Sequence, residues 1–186
     1  QENGSWRRGA PNQLWRGYWI LSMAKREIFV SSMPRSGSTM LCRAIEGLPQ
    51  SNTWNQNKAE IVWKSHRPSS PSLPYGCSKA IYVFGDPVLA VISTQNRFSK
   101  DKKHFRNCGC YKDLSDIDIY KRDEMNLEET FDSWYNREHS YPVCCVRYES
   151  IWKHKSKIED FLDHNINLPE KRERNTTFCY DRDLEL

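Results

Sequence analysis

No apolar run in these 186 residues approaches the ~20 that cross a bilayer, so a transmembrane helix is excluded as an organising element. Residues 1–16 lack the apolar centre of a signal peptide, and the chain is expected to be soluble. A strong excess of either charge is absent too. The formal net charge is +4 and the pI is about 8.6, with no basic stripe interleaved with aromatics, which argues against a nucleic-acid partner. The seven cysteines show no paired C-x₂-C spacing, and His104, Cys108 and Cys110 have no fourth ligand beside them, so no metal is expected. The Walker A pattern G-x-x-x-x-G-K-[ST] is missing: no glycine precedes Gly37 at that spacing and no lysine follows it. An ordinary ATP-hydrolysing loop is therefore disfavoured. No internal repeat is visible.

What the chain does have is alternation. Residues 26–98 read as strand, helix, strand, strand, helix, broken by a Pro/Ser-rich turn over 67–75. That order, in a length suited to one core, predicts a single α/β domain with a mainly parallel sheet flanked by helices. Its ligand is expected beyond the carboxyl ends of the strands. Residues 26–170 form this domain. Residues 1–25, with Trp6, Trp15 and Trp19, are expected to be an N-terminal arm, 99–125 a loop or lid over the acceptor, and 171–186 a charged tail. Leu127, Phe131, Trp134 and Tyr135 at i, i+4, i+7 and i+8 predict an amphipathic helix capped by Asn126, with Glu128 and Glu129 in its first turn. Ile151, Ile158, Phe161 and Leu162 give a second apolar stripe, and both stripes are expected to be core.

Four segments carry chemistry. Ser32-Met33-Pro34-Arg35-Ser36-Gly37-Ser38-Thr39-Met40 lies between a strand-like run (Ile28, Phe29, Val30) and a helix-like run over 41–48. A tight turn from strand to helix aims backbone N–H groups and the helix dipole at one point, a suitable cradle for a phosphate or sulfate ester. Arg35 adds a cation, and Ser38 and Thr39 add hydroxyls. Next, Glu60-Ile61-Val62-Trp63 reads as a short strand leading into Lys64-Ser65-His66-Arg67-Pro68. In an extended segment Lys64 and His66 face one side, giving a fixed cation and an imidazole suited to proton transfer near neutral pH. The third segment is a buried strand over 80–84 followed by Gly85-Asp86-Pro87, where Asp86 fits an N-cap, Pro87 the first helical position, and Ser93 the helix beyond. The last is Val143-Cys144-Cys145-Val146-Arg147-Tyr148-Glu149-Ser150-Ile151, a strand with an aromatic at its end.

Taken together these segments resemble the sulfotransferases that use 3′-phosphoadenosine 5′-phosphosulfate (PAPS), over roughly residues 27–165. Pro34 to Thr39 match the loop P-[KR]-[ST]-G-[ST]-[ST], and Lys64-Ser65-His66-Arg67-Pro68 matches K-[ST]-H-x-P. The resemblance implies a P-loop-NTPase-like sulfotransferase architecture and transfer of a sulfonate from PAPS to an acceptor hydroxyl or amine, leaving 3′-phosphoadenosine 5′-phosphate (PAP). Arg35, Ser36, Gly37, Ser38 and Thr39 would hold the 5′-phosphosulfate. Lys64 and Arg35 would stabilise the bridging oxygen, with His66 as general base and Glu60 or Glu46 next in line. Ser93 corresponds to a 3′-phosphate contact, and Tyr148 to a residue against the adenine, or else it is a half-buried core tyrosine. Met40 stands where a tryptophan is frequent. The family's arginine before Asp-Pro is Gly85 here, so another cation (Arg97, Arg172 or Arg174) is expected to replace it; a donor without the 3′-phosphate and an inactivated relative are the alternatives. The Arg-Lys-Gly segment of the cytosolic branch is absent from the tail.

The acceptor is expected to be a small molecule or a saccharide, and no motif encodes an oligomeric state. Adjacent Cys144 and Cys145 on a predicted strand point to opposite faces, which favours reduced thiols and a cytoplasmic setting. The sequons Asn3-Gly4-Ser5 and Asn175-Thr176-Thr177 keep a trimmed luminal domain open. Two rival functions stand beside the enzyme: a degenerate sulfotransferase fold serving as a binding module, and a P-loop-like small-molecule kinase, which would require magnesium and a cradle lysine.

Overall fold

The computed structural model describes residues 26–50, 54–74, 76–98 and 122–171. The expected arm (1–25), most of the expected lid (99–121) and the tail from 172 onward lie outside the described residues, as do His104, Cys108, Cys110, Arg172 and Arg174.

Four strands, β1 (Ile28–Ser32), β2 (Val62–Ser65), β3 (Lys79–Phe84) and β4 (Val143–Arg147), form one sheet in the order β2-β1-β3-β4. Every pairing is parallel. Parallel neighbours need crossovers, and those crossovers put helices on the faces. Among the described residues the α-helices are α1 (Ser38–Ile45), α2 (Pro87–Phe98), α3 (Leu127–Tyr135) and α4 (Lys155–Leu162). Among the described residues no helix is long and apolar enough to cross a membrane.

Strand alternation sorts the core into layers. Ile28, Val30, Val62, Ile81, Val83 and Val146 point to one face, where Leu41, Cys42 and Ile45 of α1 and Ile158 and Leu162 of α4 cover them. Phe29, Ala80 and Tyr82 point to the other, under Trp134 of α3. Trp134 is 2% exposed and lies flat on Tyr82, with centroids 5.8 Å apart and an interplanar angle of 11°. Its indole N–H donates to the carbonyl of Arg67 at 2.9 Å, tying α3 to the segment after β2. Each such buried side chain is worth on the order of 1.5–3 kcal/mol in apolar transfer. A third small cluster, Met33, Ala90, Met125 and Leu127, closes the end of the sheet beside α2.

Most expected elements form, with shifted bounds. The first helix starts at Ser38 rather than Leu41, since nothing after Gly37 opposes helical geometry. The second strand starts at Val62 rather than Glu60, because the Glu46 carboxylate accepts the N–H groups of Glu60, Ile61 and Val62 at 2.7–3.1 Å. Asp86 caps α2 as expected: its Oδ1 accepts the N–H of Val88 at 2.8 Å and of Leu89 at 3.1 Å. Asn126 does not cap α3 with its side chain. It adopts φ 50°, and the Asp123 carboxylate accepts the Glu128 N–H at 2.9 Å instead. Cys144 packs with the α1 layer and Cys145 with the Trp134 layer; both are free thiols.

Candidate active site

Parallel pairing brings the carboxyl ends of all four strands to one edge, and the loops that leave there carry the predicted residues. β1 lies between β2 and β3, with its own connection running to one side and that of β3 to the other. A crevice opens outside the sheet at such a switch point. The loop Met33-Pro34-Arg35-Ser36-Gly37 occupies it.

That loop is held from within. The Met33 N–H donates to the Val83 carbonyl at 2.9 Å. The Ser36 hydroxyl, 2% exposed, donates to the carbonyls of Met33 and Val83, the latter at 3.0 Å. Ser36 therefore spends its hydroxyl on the loop's own shape. Gly37 is the N-cap of α1 at φ 83°, without a side chain to satisfy the helix's first N–H groups, and no acidic residue sits in the first turn. The chain thus leaves donors at a helix start uncapped, the arrangement that favours an anion. Ser38 is buried and Thr39 half-buried at the same end. Glycine is required at 37 for a second reason: a Cβ there would lie 2.3 Å from Cε2 of Tyr148. The Tyr148 ring lies against the cradle and meets Trp152 edge-on at 5.4 Å.

One strand over, Lys64 and His66 emerge from β2 on the α1 side. The register pairs Val30 with Lys64 and Ser31 with Ser65, which carries His66 opposite Ser32. His66 Nδ1 lies 3.0 Å from the Ser32 carbonyl oxygen and 3.0 Å from Ser32 Oγ. A carbonyl only accepts, so Nδ1 carries a proton, and in the neutral ring the lone pair is then on Nε2. Lys64 Nζ is 3.3 Å from Nε2. An imidazole, the carbonyl that orients it and a cation are thus assembled in one unit. Beneath them, burial pushes the Cys42 thiol up to about 12, with the Lys64 charge opposing, so this cysteine stays a neutral thiol and is no nucleophile.

Arg35 is exposed at φ 62° and its Nε donates to Ser93 Oγ of α2 at 2.9 Å. The structure therefore groups Lys64 with His66, and Arg35 with Ser93. Arg97 belongs to α2, but its side chain is outside the described residues. At Gly85 a Cβ would meet Ser36 Cβ at 3.6 Å, an ordinary contact. Glu46, considered as a base, is engaged in holding the start of β2. Among the described residues, no three His, Cys, Asp or Glu side chains are grouped to hold a metal.

Two positioning residues were not read from the sequence. Ser32 orients the imidazole; its place as the last residue of β1, opposite His66, becomes evident only once the register is known. Gln56 clips the outer edge of β2: its Oε1 accepts the Lys64 N–H at 3.0 Å and its Nε2 donates to the Val62 carbonyl at 3.0 Å. Among the described residues no strand pairs with this edge of β2, and an amide side chain meets its backbone groups there; no local pattern announces it.

Neither a protein-family model nor a curated protein matches the chain.

Gly37→Ala should be strongly destabilising: the left-handed backbone costs about 1–3 kcal/mol for a residue with a Cβ, before any clash. In a Tyr148→Ala background the clash is gone, and thermal denaturation should show a smaller cost. Equal costs in both backgrounds would contradict the ring's place against the cradle.

Proposed function

We propose that this protein is a PAPS-dependent sulfotransferase with a P-loop-like architecture. The observation that carries the reading is the imidazole of His66, fixed through Nδ1 with Nε2 toward Lys64, one strand from an uncapped helix start. Order of segments adds to it: cradle, Lys-x-His, capped helix and Tyr148 all fall at the carboxyl edge of a parallel sheet.

The donor's 5′-phosphosulfate would be taken by the N–H groups of Gly37, Ser38 and Thr39 and by the Ser38 and Thr39 hydroxyls. His66 Nε2 accepts the proton of the acceptor hydroxyl as its oxygen attacks sulfur. A new S–O bond forms while the S–O bond to the bridging phosphate oxygen breaks, and PAP departs with that electron pair. Lys64 moves from Nε2 to the bridging oxygen as charge grows there. The Ser32 carbonyl, already accepting from Nδ1–H, supports the imidazolium that forms. Positioning and fixed charge carry the acceleration, as in phosphoryl transfer, and no magnesium ion is required.

Gly85 supplies no contact to the 3′-phosphate, but a cation stands close by. Arg35 reaches Ser93, the residue that the resemblance assigns to that phosphate, and takes this role while Lys64 serves the bridging oxygen. A Cβ at 85 would make only an ordinary contact, so the backbone there accepts a side chain.

His66→Gln should lower sulfonate turnover by ~10²-fold or more and leave PAP affinity near the parent value. Turnover retained in this variant would remove His66 from the base role. Gly85→Arg should raise PAP affinity by about 10-fold with little change for AMP, as a bidentate phosphate contact predicts. Equal responses of PAP and AMP in calorimetric titration would place the 3′-phosphate elsewhere.

A further inference from the structure

A cavity of about 780 Å³ opens between α2 and α3 beyond the end of β3. Its volume lies within the roughly 300–1,000 Å³ of small-molecule sites. Phe84 of β3, Val88 and Val91 of α2, and Leu127 and Phe131 of α3 form its apolar wall, and Met33, 4% exposed, lines it from the cradle loop. Met33, Phe84, Val91 and Leu127 belong to one packed cluster, and Phe84 meets Phe131 edge to face, with centroids 5.2 Å apart and an interplanar angle of 79°. The wall is therefore set before a ligand arrives, which favours a rigid occupant. It is also open to solvent. Phe84, Val91 and Phe131 are half-buried and Val88 is 56% exposed, so a molecule seated there takes apolar surface out of water.

The charged groups around this wall narrow the occupant. α2 and α3 both begin at the cavity, and an open helix start would favour an anion. Both starts are filled by the chain's own carboxylates: Asp86 accepts the N–H groups of Val88 and Leu89, and Asp123 that of Glu128. The start of α1, without a capping side chain, is the contrast. Of the other charges at the cavity, Glu124 is 3% exposed and lies 3.1 Å from Arg122 Nε, and Arg147 Nε lies 3.1 Å from Glu149. Glu128 stands exposed in the first turn of α3, where the helix dipole favours its carboxylate. These charges are balanced within the chain, so an ion of either sign entering the cavity would lose hydration without gaining a new partner.

We propose that this cavity binds an uncharged, rigid, apolar ring compound. The inference goes beyond the sulfotransferase reading and does not rest on it. In the test, the whole 186-residue chain, labelled at Met, Leu and Val methyls, is titrated without nucleotide. The probes share one ring system and differ in charge: 1-naphthalenemethanol, 1-naphthoate and 1-naphthylmethylamine. The neutral alcohol should shift the methyl resonances of Met33, Val88, Val91 and Leu127 saturably, and bind about 10-fold more tightly than either ion. An ion that binds as tightly as the alcohol, or no saturable shift at those methyls, overturns the proposal. So does broadening of the same methyls with protein concentration alone, which would put a second copy of the chain on this face. PAP is then titrated separately. Alcohol bound without any response to PAP leaves this inference standing and counts against the enzyme reading; a response to PAP without alcohol binding does the reverse.

Discussion

Parallel pairing of β1 with both β2 and β3 is the constraint from which the candidate site follows. A parallel register fixes which end of each strand meets its neighbour's end, so the loop after Ser32, the Lys64–His66 segment and the Asp86 cap are delivered to one edge together. Alternation along β2 then puts Lys64 and His66 on one side, and the pairing of Val30 with Lys64 sets Ser32 under the imidazole. A one-residue slip would turn both side chains to the opposite face, toward Trp63's side, and dissolve the pairing of imidazole and cation. The register is defended by devices outside the strands: Glu46 seats the start of β2, and Gln56 closes its outer edge.

The cradle depends on a different economy. Ser36 turns inward, so the loop's shape is bonded to β3 rather than to a ligand. Gly37 accepts a left-handed backbone and a ring at van der Waals range, which no other residue could do there without displacing Tyr148. What is left facing outward is the start of α1, without a capping side chain, and the exposed Arg35. An anion at that point would supply what the chain itself does not.

How far these features were legible in the residues depended on their range. The parallel α/β layering, the Asp86 cap and the shared face of Lys64 and His66 are local or periodic properties, and they were readable. Strand and helix bounds slipped because a distant group intervened, Glu46 at β2 being the clearest case. Asn126 looked like a cap, yet Asp123 does that work, because the turn before α3 folds back on it. Ser36 looked like a ligand donor by its place in a motif; burial shows its hydroxyl bonded to backbone carbonyls. Ser32 acts on an imidazole 34 residues away, which no window of sequence contains, and Gln56 clips a strand edge six to eight residues on that no residue pattern marks.

Binding of PAP at the cradle is the most direct measurement of the central claim. In a ¹⁵N-labelled sample without magnesium, PAP should shift the amide resonances of Gly37, Ser38 and Thr39 together, saturably, and with the largest changes in the spectrum. No shift at those amides, or shifts only when magnesium is added, would contradict the account.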